Sequence, residues 1–217
     1  MPAPSDKPRG GVCHIVAGGP SSGLSLELSE GDFLIAADRG YALCVASGAL
    51  PDLLVGDFDS LPPEALPPEE AVERVTLPVA KDDTDTLAAA KEGLSRGYRR
   101  FEVHAALGGD VGHEIANVQT LLYLRGQGAW GCLSGDSQRL YVIVSADGER
   151  ALPVAPGERV GVFSIAGEAE GVVLRGLAWE LDGETLRPDF PLGASNRAVG
   201  GEMEVGVSRG ALAVVVG

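Results

Sequence analysis

The feature that most narrows the fold is a series of short, almost wholly apolar runs in the first 145 residues. VCHIVAGG (12–19), DFLIAADRG (32–40), PDLLVGD (51–57), VERVTLPVA (72–80) and FEVHAALGG (101–109) read as strands, and GCLSGDSQRLYVIVS (131–145) holds one or two more. A strand with one wet face alternates apolar and polar residues. Runs that do not alternate belong to a sheet covered on both faces, which is the habit of parallel sheets. Two helical stretches fall between them. DDTDTLAAAKEGLSRGY (82–98) has Asp and Thr as caps, a helix-forming body and Gly97 as a stop. HEIANVQTLLYLRGQG (113–128) carries Ile115, Val118 and Leu122 at helical spacing and also ends in Gly. Strands alternating with helices predict an α/β domain with a parallel-type sheet and flanking helices over residues 1–147.

After about residue 148 the texture changes. RALPVAPGERVGVFSIAG, GVVLRGLAWELDG and GGEMEVGVSRGALAVVVG are short runs punctuated by Gly, Pro and Asp, with no helical period. This predicts a C-terminal antiparallel β-sandwich over 148–217, with the boundary in the turn-rich SADGER.

The chain has 217 residues, 45% of them hydrophobic, and a formal net charge of −14, with acid in excess both before and after residue 130. A basic footprint for nucleic acid is missing, so a phosphate-backbone binder is not expected. No apolar run reaches the ~18 residues of a membrane span. The lead MPAPSDKPRGG has no apolar core of a signal peptide. The three cysteines, Cys13, Cys44 and Cys132, stand far apart and without metal spacing, as buried thiols of a reducing compartment do. A cytoplasmic location is the expectation.

Four acidic or glycine-rich segments end the apolar runs: AADRG (36–40), GDFDS (56–60), KDDTD (81–85) and LGGDVGHEIAN (107–117). In open α/β sheets, ligands bind beyond the carboxyl ends of the strands, where all four would meet. Asp57 and Asp59 would point apart along a continuing strand but can converge at a turn. Two close carboxylates repel unless a cation lies between them. Mg²⁺ is a hard ion that takes one or two carboxylates together with substrate phosphates. The pair therefore suits a metal that holds a phosphate; an acidic turn in which Asp59 or Ser60 caps a helix is the plainer alternative. Lys81, one of three lysines, precedes Asp82, Asp83 and Asp85 at a strand end that opens a helix. Lys81 could neutralise a polyphosphate and Asp85 could complete the metal's carboxylates, or the segment is an ordinary capped helix start. Asp38 could be a turn residue, and His113 a ligand contact or a cap. His14 and His104 lie within apolar runs and read as core histidines. Trp130 and Trp179 could stack a ligand or pack in the core.

GDFDS, then KDDTD, then a Gly-Gly loop with His113-x-x-x-Asn117, then a late GASN (193–196) occur in the order found in thiamin pyrophosphokinases, which the chain resembles from about Val12 to Val216. The resemblance implies an α/β domain joined to a β-sandwich, a homodimer, and Mg-dependent transfer of pyrophosphate from ATP to the hydroxyl of thiamin, giving thiamin diphosphate and AMP. It implies that Asp57, Asp59 and Asp85 hold Mg²⁺ and ATP phosphates. Lys81, Asp82 and Thr84 would lie on the nucleotide side, with Asp38, Ser60 and His113 as further contacts. Asn117 would line the site, and Ser195 and Asn196 would meet thiamin near the dimer joint, so that the β-sandwich binds thiamin and forms the dimer.

The family pattern in the fourth segment is Gly-Gly-Arg-x-Asp-His. Here Asp110 replaces the Arg and Gly112 the Asp, so a phosphate-facing cation has become an anion. Impaired turnover is the expectation. Two other readings are a degenerate thiamin- or nucleotide-binding protein, and a Mg-dependent phosphatase in which Asp57 attacks phosphorus and Asp59 serves as acid and base.

Overall fold

The computed structural model describes residues 10–59, 66–68, 70–78 and 82–217. Its contacts divide the chain into two units, Met1–Asp136 and Ser137–Gly217.

In the first unit the order along the chain is β1 (Cys13–Val16), β2 (Phe33–Ala37), α1 (Gly40–Ala46), β3 (Leu53–Gly56), β4 (Glu73–Thr76), α2 (Asp85–Ser95), β5 (Arg100–His104), α3 (Val111–Gly126) and β6 (Trp130–Ser134). The strands lie in the order β6-β5-β1-β2-β3-β4, and every pairing is parallel. Every residue of β1, β2 and β3 is buried, as the unbroken apolar runs require. The edge strand β4 is half-buried to exposed.

α2 starts where the sequence predicts it. Thr84 is the N-cap, its Oγ1 accepting from the Leu87 amide at 3.2 Å. Its buried face is Ala88, Ala89, Ala90 and Gly93. These small residues let the helix sit close to the sheet: a Cβ at Gly93 would lie 2.6 Å from the Phe101 ring and 2.7 Å from Cys13 Sγ. α3 begins at Val111, two residues before the predicted start, because Asp110 is its N-cap. Its buried face is Asn117, Thr120, Leu121 and Leu124, whereas Ile115 of the predicted stripe is exposed. α1 was not foreseen. Its seven residues, GYALCVA, are too few to show a helical period.

The chain steps outward from β1 to β4, then crosses back to place β5 on the other side of β1. The connections leaving β1 and β5 at their carboxyl ends thus diverge, and that is where an open α/β sheet opens a crevice.

The second unit contains β7 (Arg139–Val144), β8 (Arg150–Pro153), β9 (Arg159–Ser164), β10 (Ala169–Arg175), β11 (Leu181–Leu186), β12 (Asn196–Arg197), β13 (Glu202–Gly206) and β14 (Ala211–Val216). They form two antiparallel arrays, β12-β9-β14-β7 and β11-β10-β13-β8. The fold class is therefore α/β with a parallel sheet, followed by an antiparallel β unit. The division falls before β7, earlier than the change of texture at 147/148, because β7 pairs with the C-terminal strand along its whole length, Arg139 against Val216 to Val144 against Ala211.

No helix among the described residues is long and apolar enough to cross a membrane. The three cysteines are free. Cys13 and Cys44 are buried and Cys132 is half-buried. Burial pushes the Cys13 thiol well up and the Cys44 thiol to about 12.

Candidate active site

The carboxyl ends of β1, β2, β3 and β5 and the start of α2 surround a cleft of about 570 Å³ in the first unit. Three strand ends are shaped alike. Asp38 (φ 44°), Phe58 (φ 58°) and Ala105 (φ 51°) are the non-glycine residues with left-handed backbone among those described, and each lies just past β2, β3 or β5. Such conformations cost on the order of 1–3 kcal/mol each and persist where the surroundings impose them, often at functional sites. Here they turn the chain sharply at the sheet edge. The turn at Phe58 brings Asp57 and Asp59 together instead of apart: the Asp59 amide donates to Asp57 Oδ1 at 3.3 Å.

Two glycines close the floor. A Cβ at Gly40, the first residue of α1, would lie 1.9 Å from the Val16 carbonyl oxygen. Gly19 crosses from the end of β1 to the end of β5, donating its amide to Ala105 O at 3.1 Å, and a Cβ there would lie 2.4 Å from that oxygen.

The electrostatics of the cleft are those of crowded acid. The Asp59 carboxyl is raised, chiefly by the charge of Asp57, then by desolvation and its hydrogen bond with Asp57, with Asp38 and Asp85 adding to it. All four carboxylates line or edge the cleft. Arg39 is the one lysine or arginine among the described residues lining it.

Of the residues singled out in the sequence, Asp38, Asp57, Asp59, Thr84, Asp85, His113 and Asn117 line this cleft. Asn117 is buried and donates from Nδ2 to Ala106 O at 2.9 Å, tying α3 to the loop after β5. Thr84 spends its hydroxyl on the α2 cap. Asp82 is exposed and does not line the cleft. Ser60 and Lys81 lie outside the described residues.

Ser195 and Asn196 belong to the second unit, where they line a separate cavity of about 510 Å³ with Arg159, Phe163 and Trp179. The amide of Asn196 is committed: Oδ1 accepts from the Trp179 and Arg197 amides at 3.0 and 2.9 Å, and Nδ2 donates to Trp179 O at 2.6 Å. Asn196 thereby fixes the backbone of Trp179, whose side chain is 62% exposed. Trp130 instead lies under the Arg125 guanidinium, 5.1 Å from the ring centre.

Sequence reasoning missed Glu114. Its Oε1 accepts from the amides of Gly108 and Gly109 at 2.7 and 2.8 Å. Asp110 Oδ1 accepts from the His113 amide at 3.1 Å, as a cap does. The residue standing where the resemblance expects an Arg is thus the N-cap of α3. The Asp at 110 followed by an acid in the first helical turn was the available signal.

A parallel α/β unit with an acidic cleft at its carboxyl edge, followed by an antiparallel β unit, is an architecture already seen in solved structures. Thiamine pyrophosphokinase from Bacillus subtilis superposes with a TM-score of 0.83 at 20% identity, covering 94% of this chain and 98% of its own. A thiamin pyrophosphokinase family protein from Enterococcus faecalis gives 0.80 at 26% identity, with 94% and 97% covered. Thiamin pyrophosphokinase from Candida albicans gives 0.78 at 12%, with 95% and 88% covered. Two family models match the sequence: the catalytic domain of thiamin pyrophosphokinase over residues 24–129 and its vitamin B1 binding domain over 149–212. The chain belongs to the thiamin pyrophosphokinase family. No curated protein matches its sequence.

Proposed function

We propose that this chain is an ATP-dependent thiamin pyrophosphokinase, transferring the pyrophosphoryl group of ATP to the hydroxyl of thiamin with release of AMP. The observation that carries this reading is the convergence of Asp38, Asp57, Asp59 and Asp85 on one cleft at the switch point of the sheet, in a chain that matches both domains of the family. The donor set fits magnesium: it is all carboxylate oxygen, and its members repel one another in a way a hard divalent ion relieves. Asp57, Asp59 and Asp85 would hold the ion. Bound there, Mg²⁺ would offset the charge of the polyphosphate. The chain's own part is positioning. Arg39 and Lys81 would neutralise the polyphosphate's outer oxygens, with Ser60 on the nucleotide side and Asp82 outside the cleft. Thr84 orients the α2 N-terminus, Asn117 holds the post-β5 loop, and His113 stands at the rim.

The cavity of the second unit suits thiamin. Trp179 and Phe163 offer aromatic faces to its rings, Ser195 a hydroxyl, and Asn196 acts by holding Trp179 in place. Residues 148–217 would then be the thiamin-binding and dimerisation domain, and 1–147 the nucleotide- and metal-binding domain.

The Gly108–Gly109 loop favours low turnover. Its two amides, which could otherwise meet a phosphate, are taken by the Glu114 carboxylate, and Asp110 adds a negative charge beside the cleft. A second reading rests on the same observation: a family member that binds thiamin or nucleotide without turnover. Incubation with ATP, Mg²⁺ and thiamin decides between them. Equal amounts of AMP and thiamin diphosphate are expected. Saturable binding of either ligand with no AMP released would establish the second reading, and a trapped aspartyl-phosphate at Asp57 would overturn both in favour of a phosphatase.

A further inference from the structure

On the face of the sheet shared by β1 and β5 lies a cluster that the acidic cleft does not use. β1 and β5 pair in parallel with His14 opposite Glu102, so His14, Glu102 and His104 share one face. His14 Nδ1 is 3.0 Å from His104 Nε2 and 3.6 Å from Glu102 Oε2, and the last two atoms are 3.9 Å apart. The point equidistant from these three atoms lies about 2.1 Å from each, which is the bond length of zinc to imidazole nitrogen or carboxylate oxygen.

Each histidine has an outer partner on its other nitrogen. His14 Nε2, which is buried and makes no hydrogen bond, faces Asp32 Oδ2 at 3.4 Å. Asp32 is itself held by the amides of Val12 and Ser29, both at 2.7 Å. His104 Nδ1 faces Ser134 Oγ at 3.4 Å. Metal-binding histidines are oriented in this way, the far nitrogen resting on a carboxylate or other acceptor. The cluster is reachable: Glu102 is half-exposed, and with His14 and Asp32 it lines a cavity of about 480 Å³ that also holds Glu27 and Glu30. Arg100, the one lysine or arginine among the described residues lining that cavity, donates to the Gly10 carbonyl at 2.6 Å. The approach is therefore acidic, and cations are drawn to it.

We propose that His14, His104 and Glu102 form a binding site for one divalent transition ion of the zinc class, distinct from the carboxylate cleft and with a fourth position open to the acidic cavity. Two neutral imidazoles and one carboxylate suit zinc, cobalt or nickel and do not suit magnesium, which prefers oxygen. Without metal the two rings lie edge to edge, 13° from coplanar with centres 5.3 Å apart, as two nitrogens sharing a proton do. The ion takes the place of that proton; the common point lies roughly 45° off the line joining the two nitrogens, so each ring must turn by about that much for its lone pair to meet it. The proposal does not depend on how the acidic cleft is read.

The test is Co²⁺ binding to the chelator-stripped full chain in a large excess of Mg²⁺, which keeps the carboxylate cleft filled with a hard ion. One equivalent of Co²⁺ with the intense visible bands of a four-coordinate nitrogen-containing site is expected, displaced by Zn²⁺. Glu102→Gln, a near-isosteric change at a half-exposed side chain, should weaken binding at least ~10-fold, the lower end of what even an outer partner of a ligand contributes. His104→Gln should weaken it at least as much, and the histidine ring nitrogens of the wild type should shift on Zn²⁺ addition. Absence of Co²⁺ binding in the wild type, or wild-type affinity in Glu102→Gln, overturns the proposal.

Discussion

Asp59 is the residue at which the cost and the use of the cleft separate most cleanly. Its carboxyl is raised by Asp57 first, and by Asp38 and Asp85 behind it, so in the metal-free protein it sits in an unfavourable field. Removing its charge relieves repulsion in the folded state, while in the proposed enzyme it removes a metal contact. Asp59→Asn is thus expected to keep or raise the melting temperature and to lower turnover by at least ~100-fold, the scale of losing one preorganised electrostatic contact. Turnover near normal at limiting Mg²⁺ would show that Asp59 is not a ligand. Asp110 poses the opposite case. Its Oδ1 caps α3, so replacing it with Arg would remove the cap along with the charge. Asp110→Asn keeps the acceptor and removes only the charge. If that charge repels ATP by about 1 kcal/mol, the value for two charges 4 Å apart in water, KM for ATP should fall roughly 5-fold. An unchanged KM would show that the carboxylate does not face the phosphates. At this scale the sequence made the four cleft aspartates legible, because each ends an apolar run and a parallel sheet gathers its strand ends on one edge. It did not show that Asp110 and Glu114 answer backbone amides of their own loop. That depends on where α3 begins, and the apolar spacing read from Ile115 placed the start too late.

Elements were legible in proportion to how completely they are covered. β1, β2 and β3 are buried at every position, and their unbroken apolar runs said so. The helix α1 failed to show because seven mostly apolar residues fit a helix and a strand equally well. What commits the segment is Gly40, where the helix begins against the end of β1. A methyl group there would lie 1.9 Å from one backbone oxygen and 3.2 Å from another, and neither can move without displacing β1. Gly40→Ala is therefore expected to destabilise the chain by at least about 2 kcal/mol, the range of backbone clashes in a core, seen as a lower urea midpoint with an unchanged slope. Gly126 in the last turn of α3 is the control: nothing lies within 4 Å of its added Cβ. Gly126→Ala should be neutral or stabilising by about 0.5–1 kcal/mol. Equal gains at both positions would mean that helix propensity, not the approach to Val16, decides.

For the molecule as a whole, the question is what covers the second unit. Four large apolar side chains there are more than half exposed: Trp179 at 62%, Phe190 at 61%, Leu192 at 53% and Val199 at 66%. Scattered apolar residues are ordinary on a protein surface, but an exposed Trp whose backbone is held by a buried Asn is a poor candidate for chance. β11, an edge strand, exposes four of its six residues as well. We propose that a second copy of this chain covers part of this surface, forming a symmetric dimer through residues 150–217. A twofold arrangement places each side chain twice in the interface, so each loss is doubled. Burying one aromatic or aliphatic side chain is worth roughly 1.5–3 kcal/mol, so a charge introduced at one of them should cost the dimer at least twice that across both copies. The wild type should run as a dimer by light scattering at micromolar concentration, and Val199→Asp should run as a folded monomer. Trp179 supplies an independent signal, since its fluorescence should move to the red on dilution if dissociation returns it to water. A wild-type monomer at that concentration would overturn the assembly while leaving the cleft of the first unit, and every prediction made for it, standing.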